Sequence, residues 1–188
     1  MGGGKTSIAK LLAEKLQLQR IDMDELIVKK SNRQSDREIF TKDGEHVFRE
    51  LEIQVAKDLQ DIANAVISTG GGVVMNKIIL DYLKTNGIVI FLQHSFAIAK
   101  KRLDPNNPPP LFRDEQKAKE LYNLRLPLYQ YYANIQIETD KKTLGEVTDE
   151  ERVMKSLPRD MSEFSKEEIE VLKNLQRRKK MVVIETKK

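Results

Sequence analysis

The chain has 188 residues, of which 39% are hydrophobic and 33% are charged, and this composition suits one globular domain with a tail. Because the chain has no cysteine, disulfide frameworks and thiolate metal sites are excluded. The net charge of +4 lies wholly beyond residue 150, because residues 1–150 contain 22 basic and 22 acidic side chains, so the main body has no overall field to attract nucleic acid. Every apolar run is shorter than the roughly 18 residues of a membrane span, and nothing after Met1 resembles a secretory leader, so we expect a cytoplasmic protein with no membrane or nucleic-acid partner.

In chain order, the apolar periodicity predicts a helix over residues 6–17, an extended segment at 18–23 and a charged helical region over 25–64. Short apolar runs follow at 65–69 and 88–92, with a weaker one at 135–138. Short apolar runs separated by helices are typical of a parallel sheet that is covered on both faces. The predicted fold class is therefore α/β, with three α/β/α layers around a central parallel sheet.

The second half of the chain contains a stiff loop. Residues 104–113 read DPNNPPPLFR, and consecutive prolines fix φ and remove backbone donors. A helix is predicted from about 114 to 122, ahead of the segment RLPLY. Beyond residue 140, one helix is predicted at about 143–157, and a second is capped by Ser165 and ends in the RRKK segment at 177–180. A last apolar run follows at 181–184.

The start of the chain, MGGGKTS, contains the end of the phosphate-loop pattern G-x-x-x-x-G-K-[ST]. Glycines let backbone N–H groups converge on phosphate oxygens, the lysine reaches the β and γ phosphates, and the hydroxyl holds Mg²⁺. This pattern predicts that a nucleotide's phosphates are bound by Gly2, Gly3, Gly4, Lys5 and Thr6, with Lys5 a catalytic candidate and Thr6 a magnesium ligand. The alternative is a flexible glycine leader without function.

Two further groups of residues suggest a site. Asp22 and Asp24 lie near the end of an extended segment, where one carboxylate could lie beside a metal ion and the other could orient a hydroxyl or accept its proton. Equally, an aspartate at a strand end often only caps the following helix. The glycines at 70–72 are more specific, since three glycines after a buried strand allow very close approach of a ligand. Arg49 alone would be taken for a solvated or ion-paired helical residue.

Together, five blocks resemble the shikimate kinase family, whose fold is the P-loop fold of the nucleoside-monophosphate-kinase type. The blocks are GGGKT at 2–6, DMD at 22–24, GEHVFRELE at 44–52, STGGG at 68–72 and RLPLY at 125–129. They occur in family order and with family-like spacing. The resemblance implies transfer of the ATP γ-phosphate to a hydroxyl of shikimate, giving shikimate 3-phosphate in aromatic amino-acid biosynthesis, with Mg²⁺ as cofactor. The alternatives are a related small-molecule kinase such as a gluconate kinase, or a degenerate, non-catalytic nucleotide-binding domain.

The resemblance also implies roles for single residues. Ser7 would complete the loop around the ATP phosphates, and Arg102 would stack on adenine. Asp22 would contact Mg²⁺ through water, while Asp24 would hold the shikimate hydroxyls as catalytic base or orienter. The residues that would bind shikimate are Asp24, Arg49, Gly70, Gly71, Gly72 and Arg125, with the two arginines on its carboxylate.

The resemblance covers a kinase domain at about 1–150, in which 25–64 would be the substrate-binding helical region and 104–113 the lid. Residues 151–188 would form a charged helical extension that has no family counterpart. Pro109 stands where the family has a lid arginine, whose loss costs some phosphoryl-transfer enzymes on the order of 10³ in rate, so the activity of this chain is in question. Arg113 is the nearest candidate to replace it.

The family's first strand and the first glycine of its phosphate loop are missing from the sequence. That strand lies in the middle of the sheet, and its loss would leave backbone groups unpaired in both neighbours, at about 1–3 kcal/mol for each buried group. The run at 181–184 could supply the missing strand, from the same chain or by exchange with a neighbour, although a monomer is expected. The alternative is an external tail on a chain whose start is misjudged or shortened.

Overall fold

The computed structural model describes residues 5–101, 112, 114–148 and 180–185. Within these ranges the helices are α1 Lys5–Leu16, α2 Met23–Ser31, α3 Asp36–Lys42, α4 Glu45–Asp58, α5 Lys77–Lys84, α6 Phe96–Lys101, α7 Glu115–Tyr132 and α8 Leu144–Thr148. The strands are β1 Gln19–Asp22, β2 Ala65–Ser68, β3 Gly87–Gln93, β4 Ile135–Glu138 and β5 Lys180–Glu185, and a short 3₁₀ turn spans Val73–Met75. No helix in these ranges has the length and apolarity needed to cross a membrane.

The five strands form one parallel sheet in the order β1-β2-β5-β3-β4. The strand from the C-terminal segment, β5, therefore lies in the middle. Val182 pairs with Ile67 of β2 on one side and with Val89 of β3 on the other. The prediction that the run at 181–184 supplies the missing central strand is confirmed, and this strand belongs to the same chain. Backbone groups of β2 and β3 that would otherwise be unpaired thus have partners.

Helices cover both faces of this sheet, as the α/β prediction requires. Because successive strand side chains point to opposite faces, Val182 and Phe91 pack with α2, α4, α5 and α7, whereas Val183 and Val66 pack with α1 and α8. Because both faces are covered, the middle of each central strand is an unbroken apolar run, as at 65–67, 88–92 and 181–184. The three-layer α/β/α architecture is confirmed.

Lys180 anchors the amino end of β5. Its side chain is 2% exposed, and its Nζ donates to the carbonyl oxygens of Leu59 (3.3 Å) and Gln60 (2.7 Å), just after α4 ends. Carbonyls at a helix C-terminus carry partial negative charge and favour a cation. Gly87 leaves room for this side chain, because a Cβ there would lie 2.9 Å from Cε of Lys180 and would also meet the carbonyl oxygen of Leu83. The neighbouring strand is therefore shaped to admit this lysine.

The predicted end of the helix that begins near residue 114 was wrong. Helix α7 continues to Tyr132 and contains Pro127. A proline in a helix interior removes one backbone hydrogen bond and costs about 3 kcal/mol. The helix continues because it buries Ala118, Arg125 and Tyr129 against the rest of the domain, and tertiary packing of this kind overrides local propensity.

Several predictions fall on the undescribed part of the chain. Of the helix predicted at about 143–157, the structure describes the turn α8. Of the helix predicted from Ser165 to the RRKK segment at 177–180, the structure describes only Lys180, which begins β5. Pro109 and Arg113, which belong to the predicted lid, also lie outside the described residues. The proposed division at residue 150 stays a prediction, but β5 is part of the domain's own sheet.

Burial makes the stability of the sheet depend on pH through Lys180. Desolvation lowers the pKa of Lys180 to about 8 from 10.5, although Asp61 opposes this shift. Between these values the unfolded chain keeps the proton that the folded chain has lost, so stability should rise with pH. The free energy of unfolding of the wild type, minus that of Lys180→Met, should increase between pH 7.5 and 9.5, by at most about 1.4 kcal/mol per pH unit. A difference that is flat or falls over this range in urea titrations would contradict the burial of this amine.

Candidate active site

The glycine loop, which we define as residues 69–72, lies at the carboxyl edge of the sheet, directly after β2. Ligands of open α/β sheets bind at this edge. The backbone N–H of Thr69 donates to the carbonyl oxygen of Val183 in β5, at 3.2 Å. Gly70 and Gly71 are buried, and Gly72 is half-buried. The central strand thus fixes the start of the glycine loop.

Asp22 ties β1 to β2 and caps α2. Its Oδ1 accepts the backbone N–H of Asp24 at 3.1 Å, and its Oδ2 accepts the hydroxyl of Ser68 at 2.9 Å. The reading of Asp22 as a helix cap is therefore correct. Asp24 follows in the first turn of α2 and is half-buried. The carboxylate of Asp22 thus lies next to Ser68, which precedes the glycine loop, and Asp24 follows two residues later.

The guanidinium of Arg49 lies against Gly72. A Cβ at Gly72 would be 2.6 Å from Nη1 of Arg49, so this close contact requires glycine. Nη1 donates to Oε2 of Glu52 at 2.6 Å, while Nη2 and Nε donate to Oε1 of Glu45 at 2.9 and 3.2 Å. The expectation that a helical arginine is ion-paired therefore also holds. These contacts hold the arginine at the rim of the glycine loop.

Electrostatics keep Arg49 charged. Burial opposes its charge, but hydrogen bonds and attraction to Glu52 and Glu45 outweigh burial and raise the pKa of Arg49 above its ordinary value. The ring of Phe48 lies 5.4 Å from its Cζ atom, which adds a cation–π contact. A permanently charged, half-buried guanidinium beside the half-buried backbone of Gly72 is suited to binding an anion.

Sequence reasoning missed Glu52. It is 1% exposed, and its carboxylate lies three residues after Arg49 on α4. Residues at i and i+3 on a helix are neighbours, so the block GEHVFRELE contains the signal for this pair. An acidic residue in an otherwise apolar helix face needs a cationic partner when buried. Glu52 therefore orients the arginine towards the glycine loop.

Arg125 lies on α7 and is 9% exposed. Its Nε is buried and has no hydrogen-bond partner within the described part of the chain. Buried donors are nearly always paired, so this N–H is suited to a ligand acceptor. One turn later on the same helix, the hydroxyl of Tyr129 donates to the carbonyl oxygen of Gly71 at 2.6 Å. The turn of α7 that contains Arg125 is therefore adjacent to the glycine loop.

Of the predicted substrate residues, Asp24, Arg49 and Arg125 lie on α2, α4 and α7. Helices α4 and α7 contact the glycine loop through Arg49 and Tyr129, and Asp22, which ends β1 and caps α2, contacts Ser68 directly before this loop. For the phosphate loop, the structure describes the hydroxyl residues Thr6 and Ser7, which are exposed in the first turn of α1. Outside the described residues lie Gly2, Gly3, Gly4, the side chain of Lys5, and Arg102.

Comparison with known proteins agrees with this geometry. A family model described as "Shikimate kinase" matches residues 1–157. A shikimate kinase of Caldicellulosiruptor bescii is 39% identical over 143 residues, which cover 74% of this chain and 82% of that protein. A shikimate kinase of a Sulfurihydrogenibium species is 36% identical over 151 residues, which cover 80% of this chain and 90% of that protein.

Solved structures give the same result. The structure of shikimate kinase from Acinetobacter baumannii in complex with shikimate superposes with a TM-score of 0.76 and 30% identity, covering 85% of this chain and 91% of that one. The shikimate kinase of Aquifex aeolicus gives a TM-score of 0.68 and 33% identity, with 79% of this chain and 87% of that chain covered. From the family match over residues 1–157 and the identities of 30% to 39%, the chain belongs to the shikimate kinase family.

Proposed function

We propose that this protein transfers the γ-phosphate of ATP to a hydroxyl of shikimate, forming ADP and shikimate 3-phosphate. The observation that carries the proposal is that Arg49 of α4 lies against Gly72, while α7, which carries Arg125, contacts Gly71 through Tyr129. Asp22, the N-cap of the helix that carries Asp24, bonds to Ser68 directly before the glycine loop. Shikimate is a small, polyhydroxylated carboxylic acid, so cations for its carboxylate and a carboxylate for its hydroxyls are the groups that it requires.

In this proposal, Arg49 and Arg125 bind the shikimate carboxylate from opposite helices. The buried Nε of Arg125 supports this role, because a ligand carboxylate would supply the acceptor that this donor lacks among the described residues. The glycines Gly70, Gly71 and Gly72 line the floor, where the absence of side chains lets the ring of the substrate approach the backbone. Asp24 holds the hydroxyls of the substrate.

The nucleotide would bind at the start of α1. Backbone amides of residues 2–7 and the helix N-terminus would surround its phosphates, with Lys5 on the transferred group. Arg102 would stack on the adenine. This part of the proposal is supported by the sequence pattern and by the exposed hydroxyls of Thr6 and Ser7.

The oxygen donors near the phosphates fit Mg²⁺. Thr6 offers an exposed hydroxyl, and each carboxylate oxygen of Asp22 accepts one hydrogen bond and keeps further acceptor capacity for a bound water. Within the described ranges no cluster of three or more His, Cys, Asp or Glu occurs, so phosphate oxygens and water would complete the coordination, as is usual for this ion. When bound, Mg²⁺ neutralises charge on the β and γ phosphates.

The chemistry that this chain would contribute is mainly positioning. Asp24 aims the acceptor hydroxyl at the γ-phosphorus and takes its proton as the new O–P bond forms. The bond from the γ-phosphorus to the bridging oxygen breaks, and ADP leaves. Fixing both reactants removes most of the entropic cost of the encounter. A second candidate, a domain that binds both ligands without turnover, is favoured only by Pro109 at the predicted lid arginine.

The substrate assignment predicts a selective loss in arginine variants. Arg49→Ala and Arg125→Ala should each raise the KM for shikimate about 10- to 100-fold, as expected for charge-assisted hydrogen bonds, with the KM for ATP within about twofold. Arg37→Ala is the matched control, because Arg37 is exposed on α3. Both KM values are measured from the rate of ADP release in the presence of Mg-ATP and shikimate. Parallel losses for both substrates would contradict the assignment, and binding of both ligands without ADP release would favour the non-catalytic alternative.

Gly72→Ala should displace the guanidinium of Arg49 without unfolding the domain. The methyl group would meet Nη1 at 2.6 Å, and that atom lies at the end of a flexible side chain. We expect the KM for shikimate to rise about tenfold and the thermal midpoint to change by only a few degrees. Gly145→Ala is the control, since a Cβ there meets nothing closer than Oγ1 of Thr143 at 4.0 Å. An unchanged KM in Gly72→Ala would show that Arg49 does not act from this position.

A further inference from the structure

Tyr129 has no role in the chemistry described so far, yet it is 1% exposed and lies at the centre of the site. Its hydroxyl donates to the carbonyl oxygen of Gly71 at 2.6 Å. Its ring stacks on Phe91 of β3, with 5.0 Å between ring centroids and an angle of 10°. Because the ring is packed against the middle of the sheet, the hydroxyl is held in one place.

The glycine loop depends on contacts of this kind. Glycines carry no side chains that could anchor them, and their backbone has wide conformational freedom. At its start, the loop is held by the hydrogen bond from Thr69 to Val183 of β5. Two residues further on, the bond from Tyr129 holds the carbonyl of Gly71. The backbone that would face the substrate is thus fixed from the sheet on one side and from α7 on the other.

Tyr129 also lies four residues after Arg125, and residues at this spacing share one face of a helix. Pro127 lies between them and cannot donate a backbone hydrogen bond, so this turn of α7 is held less firmly by the helix itself. The side-chain bond of Tyr129, two residues after the proline, gives this turn a second point of attachment. The same bond therefore sets the distance between the glycine loop and the helix turn that carries Arg125.

We propose that Tyr129 is a positioning residue for the acid substrate: it fixes the spacing between the backbone at Gly71 and the guanidinium of Arg125. This inference rests on the proposed function, in which both groups bind shikimate. Tyr129 itself touches neither the substrate nor the reacting phosphate. Its removal should therefore weaken shikimate binding selectively, because the nucleotide would be held by α1 on the other face of the sheet.

The test is Tyr129→Phe, which keeps the ring stacked on Phe91 and removes only the hydroxyl. The chain offers a matched control on the same helix. Tyr122 donates its hydroxyl to the carbonyl oxygen of His94 at 2.8 Å and packs edge-on against Phe96, away from the glycine loop. Tyr122→Phe removes the same type of bond from the same helix. The readouts are the thermal midpoint, the dissociation constant of shikimate by calorimetry, and the KM values for shikimate and ATP.

Tyr129→Phe should weaken shikimate binding about five- to tenfold, with the KM for ATP within twofold and a thermal midpoint close to that of Tyr122→Phe. Tyr122→Phe should leave shikimate affinity within twofold of the wild type. The inference would be overturned if Tyr129→Phe bound shikimate as tightly as the wild type. It would also be overturned if Tyr129→Phe and Tyr122→Phe lost the same affinity for both substrates. A wild-type protein that does not bind shikimate would instead contradict the proposed function itself.

Discussion

The fold depends on β5, a strand that is far along the sequence from the two strands it pairs with. Strand β5 lies between β2 and β3 and is paired on both sides. A central strand of a parallel sheet is buried on both faces, so its backbone groups must all be paired and its side chains must all be apolar. The residues from Met181 to Ile184 meet this requirement with at most 2% exposure. Lys180 fixes their position along the sheet through carbonyls at the end of α4.

The same strand connects the fold to the site. Its Val183 carbonyl holds the first residue of the glycine loop, and the loop in turn contacts Arg49 of α4 and Tyr129 of α7. The helices α4 and α7, which carry Arg49 and Arg125, are therefore positioned relative to one another through a short stretch of backbone. Since glycine provides no side chains for this purpose, hydrogen bonds from β5 and α7 determine the geometry of the site.

Local patterns were sufficient to predict the fold class, and five sequence blocks together marked the residues that are proposed to form the site. Short apolar runs marked β2, β3 and β5 and, more weakly, β4, whereas β1 was expected only as an extended segment at 18–23. The blocks around Asp24, Arg49 and Arg125 marked the helices α2, α4 and α7. Other features arise only from tertiary contacts. The continuation of α7 through Pro127, the burial of Glu52 and the bond from Tyr129 to Gly71 all involve packing against distant residues. The run at 181–184 could be proposed as a central strand, because no other unassigned apolar run remained, but its register and its lysine anchor could not.

Amide hydrogen exchange of the native protein tests most directly whether the C-terminal segment forms the centre of the sheet. The amides of Val182 and Val183 should exchange only through global unfolding, and more slowly than that of Ile137 in the edge strand β4, because central strands open last. Protection factors near one at Val182 and Val183, in a protein whose β2 and β3 remain protected, would contradict the account.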